Sequence, residues 1–107
     1  MDREILKGFL DIILLSLLKD KDMYGYELSK IIKQLSNEQL SIGEGTLYPA
    51  LKRLEENKCI DSYWIEREQK LIKRKYYKIT LDGISILQKK IDDYKIIDSL
   101  INSCLRR

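Results

Sequence analysis

The stretch Gly45-Thr46-Leu47-Tyr48-Pro49-Ala50-Leu51-Lys52-Arg53-Leu54-Glu55-Glu56, together with the residues after it, decides the fold. Leu47, Ala50, Leu51 and Leu54 recur at three- and four-residue steps, the apolar stripe of a helix. Gly43-Glu44-Gly45-Thr46 marks a break and a helix start, and Pro49 is expected in the first turn, where a missing N–H does no harm. Past Glu56-Asn57 the period changes from helical to alternating. Cys59 to Arg67 alternates and is rich in Ile, Tyr and Trp. Ile72 to Thr80 alternates again, with Tyr77 and Ile79 on one face and Arg74, Tyr76 and Lys78 on the other. With Glu68-Gln69-Lys70 as a polar tip, the two runs read as a β-hairpin.

Upstream, Tyr24-Gly25-Tyr26-Glu27 opens a helix with Leu28, Ile31, Ile32 and Leu35 on one face, fading at Ser36-Asn37-Glu38-Gln39. Leu40, Ser41 and Ile42 suit a short extended piece. Before them, Asp20-Lys21-Asp22 is a polar turn, and Arg3 to Lys19 is a helix whose apolar arc is wider than one face. Such a helix either lies at the centre of the core or serves the core on one side and a partner chain on the other. Downstream, Thr80 is a good N-cap, and Leu81 to Leu105 reads as one long helix. Its stripe runs Ile84, Leu87, Ile91, Tyr94, Ile97, Ile101 and Cys104. About 25 residues span roughly 37 Å, too long for the core of a chain this size to bury. This helix is expected to pack on a second copy, through Ile84, Leu87, Ile91, Tyr94, Ile97 and Ile101. The expected fold is mainly α with a small β-hairpin (α+β): a winged helix-turn-helix over residues 1–80 and a dimerisation helix over 81–107. Leu28, Leu47, Leu51, Leu54, Trp64, Tyr77 and Ile79 are expected to form the core that holds helix and hairpin together.

Composition excludes several functions. The chain has no His, which removes the commonest general base and the commonest zinc ligand. Its two cysteines, Cys59 and Cys104, form no metal-binding pair and no disulfide framework, and read as reduced thiols. Cys104, near the dimer stripe, suits either redox control or an inert apolar thiol. Glu55-Glu56 and Asp92-Asp93 diverge on their helices and make no facing acid/base pair. No GxSxG or phosphate-binding glycine loop is present. No enzyme, metal or cofactor is expected. The start, Met-Asp-Arg-Glu, lacks a basic leader, and the apolar run Ile12 to Leu18 is far short of the ~20 residues of a membrane span. A cytoplasmic protein with no membrane partner is expected.

Net charge is only +3, but the hairpin concentrates it. Between Arg67 and Lys78 six cations (Arg67, Lys70, Lys73, Arg74, Lys75, Lys78) face one anion, Glu68, leaving +5. Such a run suits a polyanion whose phosphates screen it; it also suits protection of an exposed sheet edge. In a three-helix-plus-hairpin plan the third helix enters the major groove of DNA and the hairpin reaches neighbouring phosphates. Glu44, Thr46, Tyr48, Lys52 and Arg53 lie off the apolar stripe of that helix, as DNA contacts or as an ordinary solvated face. Lys73, Arg74 and Lys75 would anchor the wing. Double-stranded DNA is the expected partner; a winged helix used only for protein contacts is the alternative.

The chain resembles the PadR family of transcriptional regulators. The likeness is carried by Ile13-Leu14-Leu15-Ser16-Leu17-Leu18, Tyr24-Gly25-Tyr26-Glu27-Leu28, the block from Gly45 to Glu55, Ile60-Asp61-Ser62-Tyr63-Trp64, Arg74-Lys75-Tyr76-Tyr77 and Thr80-Leu81-Asp82-Gly83. It implies a winged-helix domain, a C-terminal dimerisation helix and repression of a promoter through a palindromic operator. It also implies release by a small hydrophobic effector in some members. A single helix after the wing is similar to the smaller subfamily, some of whose members bind a ligand between the first and last helices of both protomers. Phe9 and Tyr94 are the expected ligand contacts, with Tyr94 alternatively a dimer-core residue. One departure is Asn57-Lys58-Cys59, where the family carries a glycine in the left-handed helix cap. Asn57 is expected to take that conformation instead.

Overall fold

The computed structural model describes residues 1–67 and 72–107, the side chains of Arg67 and Ile72 excepted. The elements run α1 (Arg3–Asp20), β1 (Met23–Tyr24), α2 (Gly25–Leu35), α3 (Glu44–Glu56), β2 (Ile60–Arg67), β3 (Ile72–Ile79) and α4 (Leu81–Arg106). This is an α+β fold, four helices beside a three-stranded antiparallel sheet of order β1-β3-β2. The hairpin register places Ile60 opposite Ile79 and Trp64 opposite Lys75. The expected tip, Glu68-Gln69-Lys70, lies outside the described residues.

The third strand has no counterpart in the sequence reading. Met23 and Tyr24 pair with Tyr77 and Tyr76, so β1 adds a two-residue edge to the wing. Two residues between a polar turn and a helix are too few for an alternating pattern to show. The extended piece expected at Leu40–Ile42 is not a strand.

Leucine packing fixes the arrangement. Leu14, Leu15, Leu18, Leu28, Leu51, Leu54 and Ile60 are fully buried, and α1 supplies five buried leucines to the core. Thus α1 is the central helix, with Ile12, Ile13 and Leu17 partly buried around the same core. Trp64 departs from expectation: it is 63% exposed, lining an open cleft and not the core. Leu87 departs too. Only 3% exposed, it is spent on the core of its own chain and is not available to a second copy.

Caps set the boundaries. Asp2 accepts a hydrogen bond from the Glu4 N–H at 2.8 Å. Thr80 Oγ1 accepts from the Gly83 N–H at 2.9 Å and itself reaches the Lys58 carbonyl at 2.7 Å, tying the start of α4 to the end of α3. At that end Lys58, not Asn57, adopts the left-handed conformation (φ 62); Asn57 stays at φ −83. Lys58 N–H donates to the Glu55 carbonyl (3.0 Å) and Cys59 N–H to the Leu54 carbonyl (2.9 Å). That is the Schellman pattern with lysine where glycine is usual. Pro49 lies in the second turn of α3, since the helix begins earlier, at Glu44. The Gly45 carbonyl, which its missing N–H would have served, is on the exposed face and open to water.

Beyond Ile91, α4 adds nothing to the buried core, though Tyr94 still meets Phe9 on α1. Every residue from Asp92 to Arg107 is exposed, and the molecule measures 61 × 30 × 21 Å.

Candidate nucleic-acid interface

The outward face of α3 follows from its buried one. With Leu47, Ala50, Leu51 and Leu54 turned inward, Gly45, Pro49, Lys52 and Glu56 point to solvent at three- and four-residue spacing. Lys52 has no ion-pair partner among the described residues. Glu44 is exposed in the first turn and Thr46 is partly buried. Arg53 is exposed but leans toward α1, where its Nη2 lies 2.8 Å from Asp11 Oδ1.

Tyr48 leans toward the wing side and rests on α2. A Cβ placed on Gly25 would lie 2.6 Å from the Tyr48 hydroxyl, so the ring sits where any larger residue would intrude. Glu55, also on this side, clamps α3 to the wing. It accepts a hydrogen bond from Ser62 on β2 and pairs with Lys75 on β3 at 3.7 Å.

Strand alternation divides the wing cations. Lys73 and Lys75 share the face that meets α3 with Trp64 and Tyr77, while Arg74 lies on the other with Tyr63 and Tyr76. Lys75 approaches the Tyr77 ring at 5.6 Å, and Arg74 lies 4.6 Å over the Tyr24 ring. Lys73 is 4.0 Å from Glu66. The outer face carries an aromatic row: Tyr24 meets Tyr76 edge-on and Tyr76 stacks on Tyr63. The Tyr63 hydroxyl donates to Asp22 at 2.6 Å. That bond holds the proton, pushing the phenol up to about 12. Burial, then Tyr48 and Glu55, push the Tyr77 phenol up as well, so both stay neutral at ordinary pH. Of the other expected wing cations, Lys70 and the side chain of Arg67 lie outside the described residues.

Two clefts of about 470 Å³ open between α3 and the wing. One is lined by Tyr48, Lys52, Glu55, Glu56, Lys75 and Tyr77. The other gathers Tyr24, Gly25, Tyr26, Tyr48 and Trp64 with Lys73, Arg74 and Lys75. Cations interleaved with aromatic rings form a surface suited to phosphate and sugar. Sequence reading placed Tyr48, Lys52, Lys73, Arg74 and Lys75 here. It missed Gly25, Tyr26 and Trp64. The signal for Gly25 was available in Tyr24-Gly25-Tyr26, where a glycine opening a helix between two large rings marks a close approach.

Between α1 and α4, Phe9 and Tyr94 come together edge-on at 5.5 Å. They line a cleft of about 270 Å³ with Gly8, Ile12, Lys90, Asp93 and Ile97. Ile84, Tyr94, Ile97 and Ile101 are exposed; Ile91 is partly buried against the core. Ile96, Leu100 and Leu105 are also exposed, although they fell off the stripe read from the sequence. Cys104 is exposed, while Cys59 is buried, its thiol pushed up first by burial and then by Asp11. The described residues hold no cluster of metal-ligating side chains, and no helix among them is long and apolar enough to cross a membrane.

Residues 14–89 match the family model described as the transcriptional regulator PadR-like family. An uncharacterized protein of Lysinibacillus sphaericus is 36% identical over 92% of this chain and 90% of its own length. A transcriptional regulator from Clostridium thermocellum superposes with a TM-score of 0.86 at 40% identity, covering 94% of this chain and 96% of that one. A PadR family transcription regulator from Clostridium difficile gives a TM-score of 0.78 at 35% identity, covering 91% and 98%. The chain belongs to the PadR-like family of transcriptional regulators, which are DNA-binding proteins and not enzymes.

Proposed function

We propose that this protein is a cytoplasmic, homodimeric repressor that binds a palindromic operator and is released by a small hydrophobic ligand. The observation that carries the reading is the shared surface of α3 and the wing, where outward Lys52 stands beside the cleft that gathers Lys73, Arg74 and Lys75 among aromatic rings. In this reading residues 1–80 grip DNA. Glu44, Thr46, Tyr48 and Lys52 meet the major groove and its edges, and Lys73, Arg74 and Lys75 hold phosphates on the flank.

Residues 81–107 would join two protomers. An apolar face left in water along α4 is costly, and a second copy offers the same face in return. Ile84, Ile91, Tyr94, Ile97 and Ile101 would meet that copy, joined by Ile96 and Leu100. Two recognition helices would then stand about 34 Å apart, one turn of DNA. The Phe9–Tyr94 cleft borders this seam and would take the ligand, which controls DNA binding only if it prefers one dimer geometry.

The test is a gel shift on the DNA upstream of the protein's own gene across a salt series. A specific shift that weakens steeply with salt supports the reading. Binding that is insensitive to salt, or absent from every duplex in a random pool, overturns it in favour of a protein partner.

A further inference from the structure

Arg53 belongs by sequence to the cationic run of α3, yet it does not share the direction of its neighbour. It follows Lys52 by one residue, about 100° round the helix. That rotation brings it to the side facing α1, where its guanidinium, still half exposed, meets Asp11 at 2.8 Å. Asp11 is mostly covered, at 23% exposure, while Arg53 keeps 52%. Drawing Arg53 away to a phosphate would strand a largely buried carboxylate without its donor.

The place of Asp11 gives the pair its meaning. Its chain neighbour Ile12, and Phe9 two residues before, line the cleft between α1 and α4. Lys90 lines the same cleft from α4, and at the buried Cys59 thiol it opposes Asp11, pulling down what Asp11 pushes up. Asp11 therefore ties α3 to α1 one residue from the cleft that α1 shares with α4.

We propose that Arg53 is a positioning residue: through its ion pair with Asp11 it fixes the orientation of α3 against α1, and it makes no contact with DNA. The proposal rests on the reading that α3 and the wing grip DNA.

A charge that touches phosphate and one that positions a helix differ in salt dependence. Loss of one phosphate contact makes the slope of log affinity against log salt shallower by about 0.9; loss of a positioning pair leaves the slope alone. We would measure fluorescence anisotropy of a random-sequence duplex with the full chain, its Lys52→Ala, Arg53→Ala and Asp11→Asn variants, and the Arg53→Ala/Asp11→Asn double variant. Expected are a shallower slope for Lys52→Ala and an unchanged slope for Arg53→Ala, with affinity lowered about two- to fivefold, the range set by an exposed ion pair. In the Asp11→Asn background, Arg53→Ala should change nothing further.

The exchanged pair, Arg53→Asp with Asp11→Arg, should recover the affinity and slope of the natural chain, provided far-UV circular dichroism shows it folded. A slope lowered by Arg53→Ala, or a further loss from Arg53→Ala in the Asp11→Asn background, would overturn the proposal alone. A natural chain that binds no duplex, or a Lys52→Ala slope equal to the natural one, would overturn the DNA-gripping reading beneath it.

Discussion

Replacing Lys58 with glycine should make the protein more stable. Lys58 holds φ 62 at the end of α3, a conformation that costs an L side chain roughly 1–2 kcal/mol. Glycine escapes that cost but brings more freedom to the unfolded chain, worth about 0.5–1 kcal/mol against folding. The difference is a net gain of about 0.5–1 kcal/mol. The hydrogen bonds of the turn use only the backbone of residue 58, at 3.0 Å to the Glu55 carbonyl and 2.7 Å from Thr80 Oγ1, and survive the change. The gain corresponds to a rise in Tm of about 2–6 °C for a domain of this size. Thermal unfolding followed by circular dichroism, without DNA and at one protein concentration, reads it directly. Lys58→Ala keeps the strain and should stay within about 0.5 kcal/mol of the natural protein. Asn57→Gly, at φ −83, has no strain to relieve and should not stabilise. A lowered Tm for Lys58→Gly, or an equal rise for Asn57→Gly, would refute the reasoning.

Gly83→Ala should be strongly destabilising, because its Cβ would lie 2.0 Å from the Cys59 carbonyl oxygen; a loss of about 3 kcal/mol is expected in denaturant unfolding. Leu51→Ala opens a cavity at a fully buried position and should cost about 3–5 kcal/mol by the same measurement. The Tyr63 phenol should ionise near pH 12, read as the difference in ultraviolet absorbance between the natural chain and Tyr63→Phe, and Asp22→Asn should return it toward 10. Since folding raises this pKa, the contribution of the Tyr63–Asp22 bond is fully present below pH 10 and fades as pH rises through 12. Paired Ile97→Asp and Ile101→Asp substitutions should leave the far-UV spectrum intact and yield monomers in sedimentation velocity, if these exposed residues form the seam.

The four helices and the hairpin could be read from periodicity because each is long enough to repeat its pattern. Leu47, Ala50, Leu51 and Leu54 announce both the buried face of α3 and, by subtraction, the outward Lys52. What periodicity could not show was local or relational. Two residues make β1, and no pattern is visible in two residues. Trp64 reads as core by its chemistry, but whether the helices close over it or leave it lining an open cleft depends on tertiary packing. Leu87 sits on the same stripe as Ile97, and only the length of the body decides which is covered by its own chain and which is left bare. Arg53 and Lys52 are equal as charges; the partner of Arg53 lies 42 positions away in sequence, beyond the reach of any local rule. Phe9 and Tyr94, nominated by resemblance, do meet, because α1 and α4 pack alongside one another.

The most direct test of the central claim is the salt dependence of duplex binding by the natural chain and by Lys73→Ala/Arg74→Ala/Lys75→Ala. With the wing on phosphates, the triple variant should bind every sequence more weakly, and its log–log slope should be shallower by about 0.9 for each phosphate contact removed. An unchanged slope and affinity would contradict the account and take the wing off the DNA.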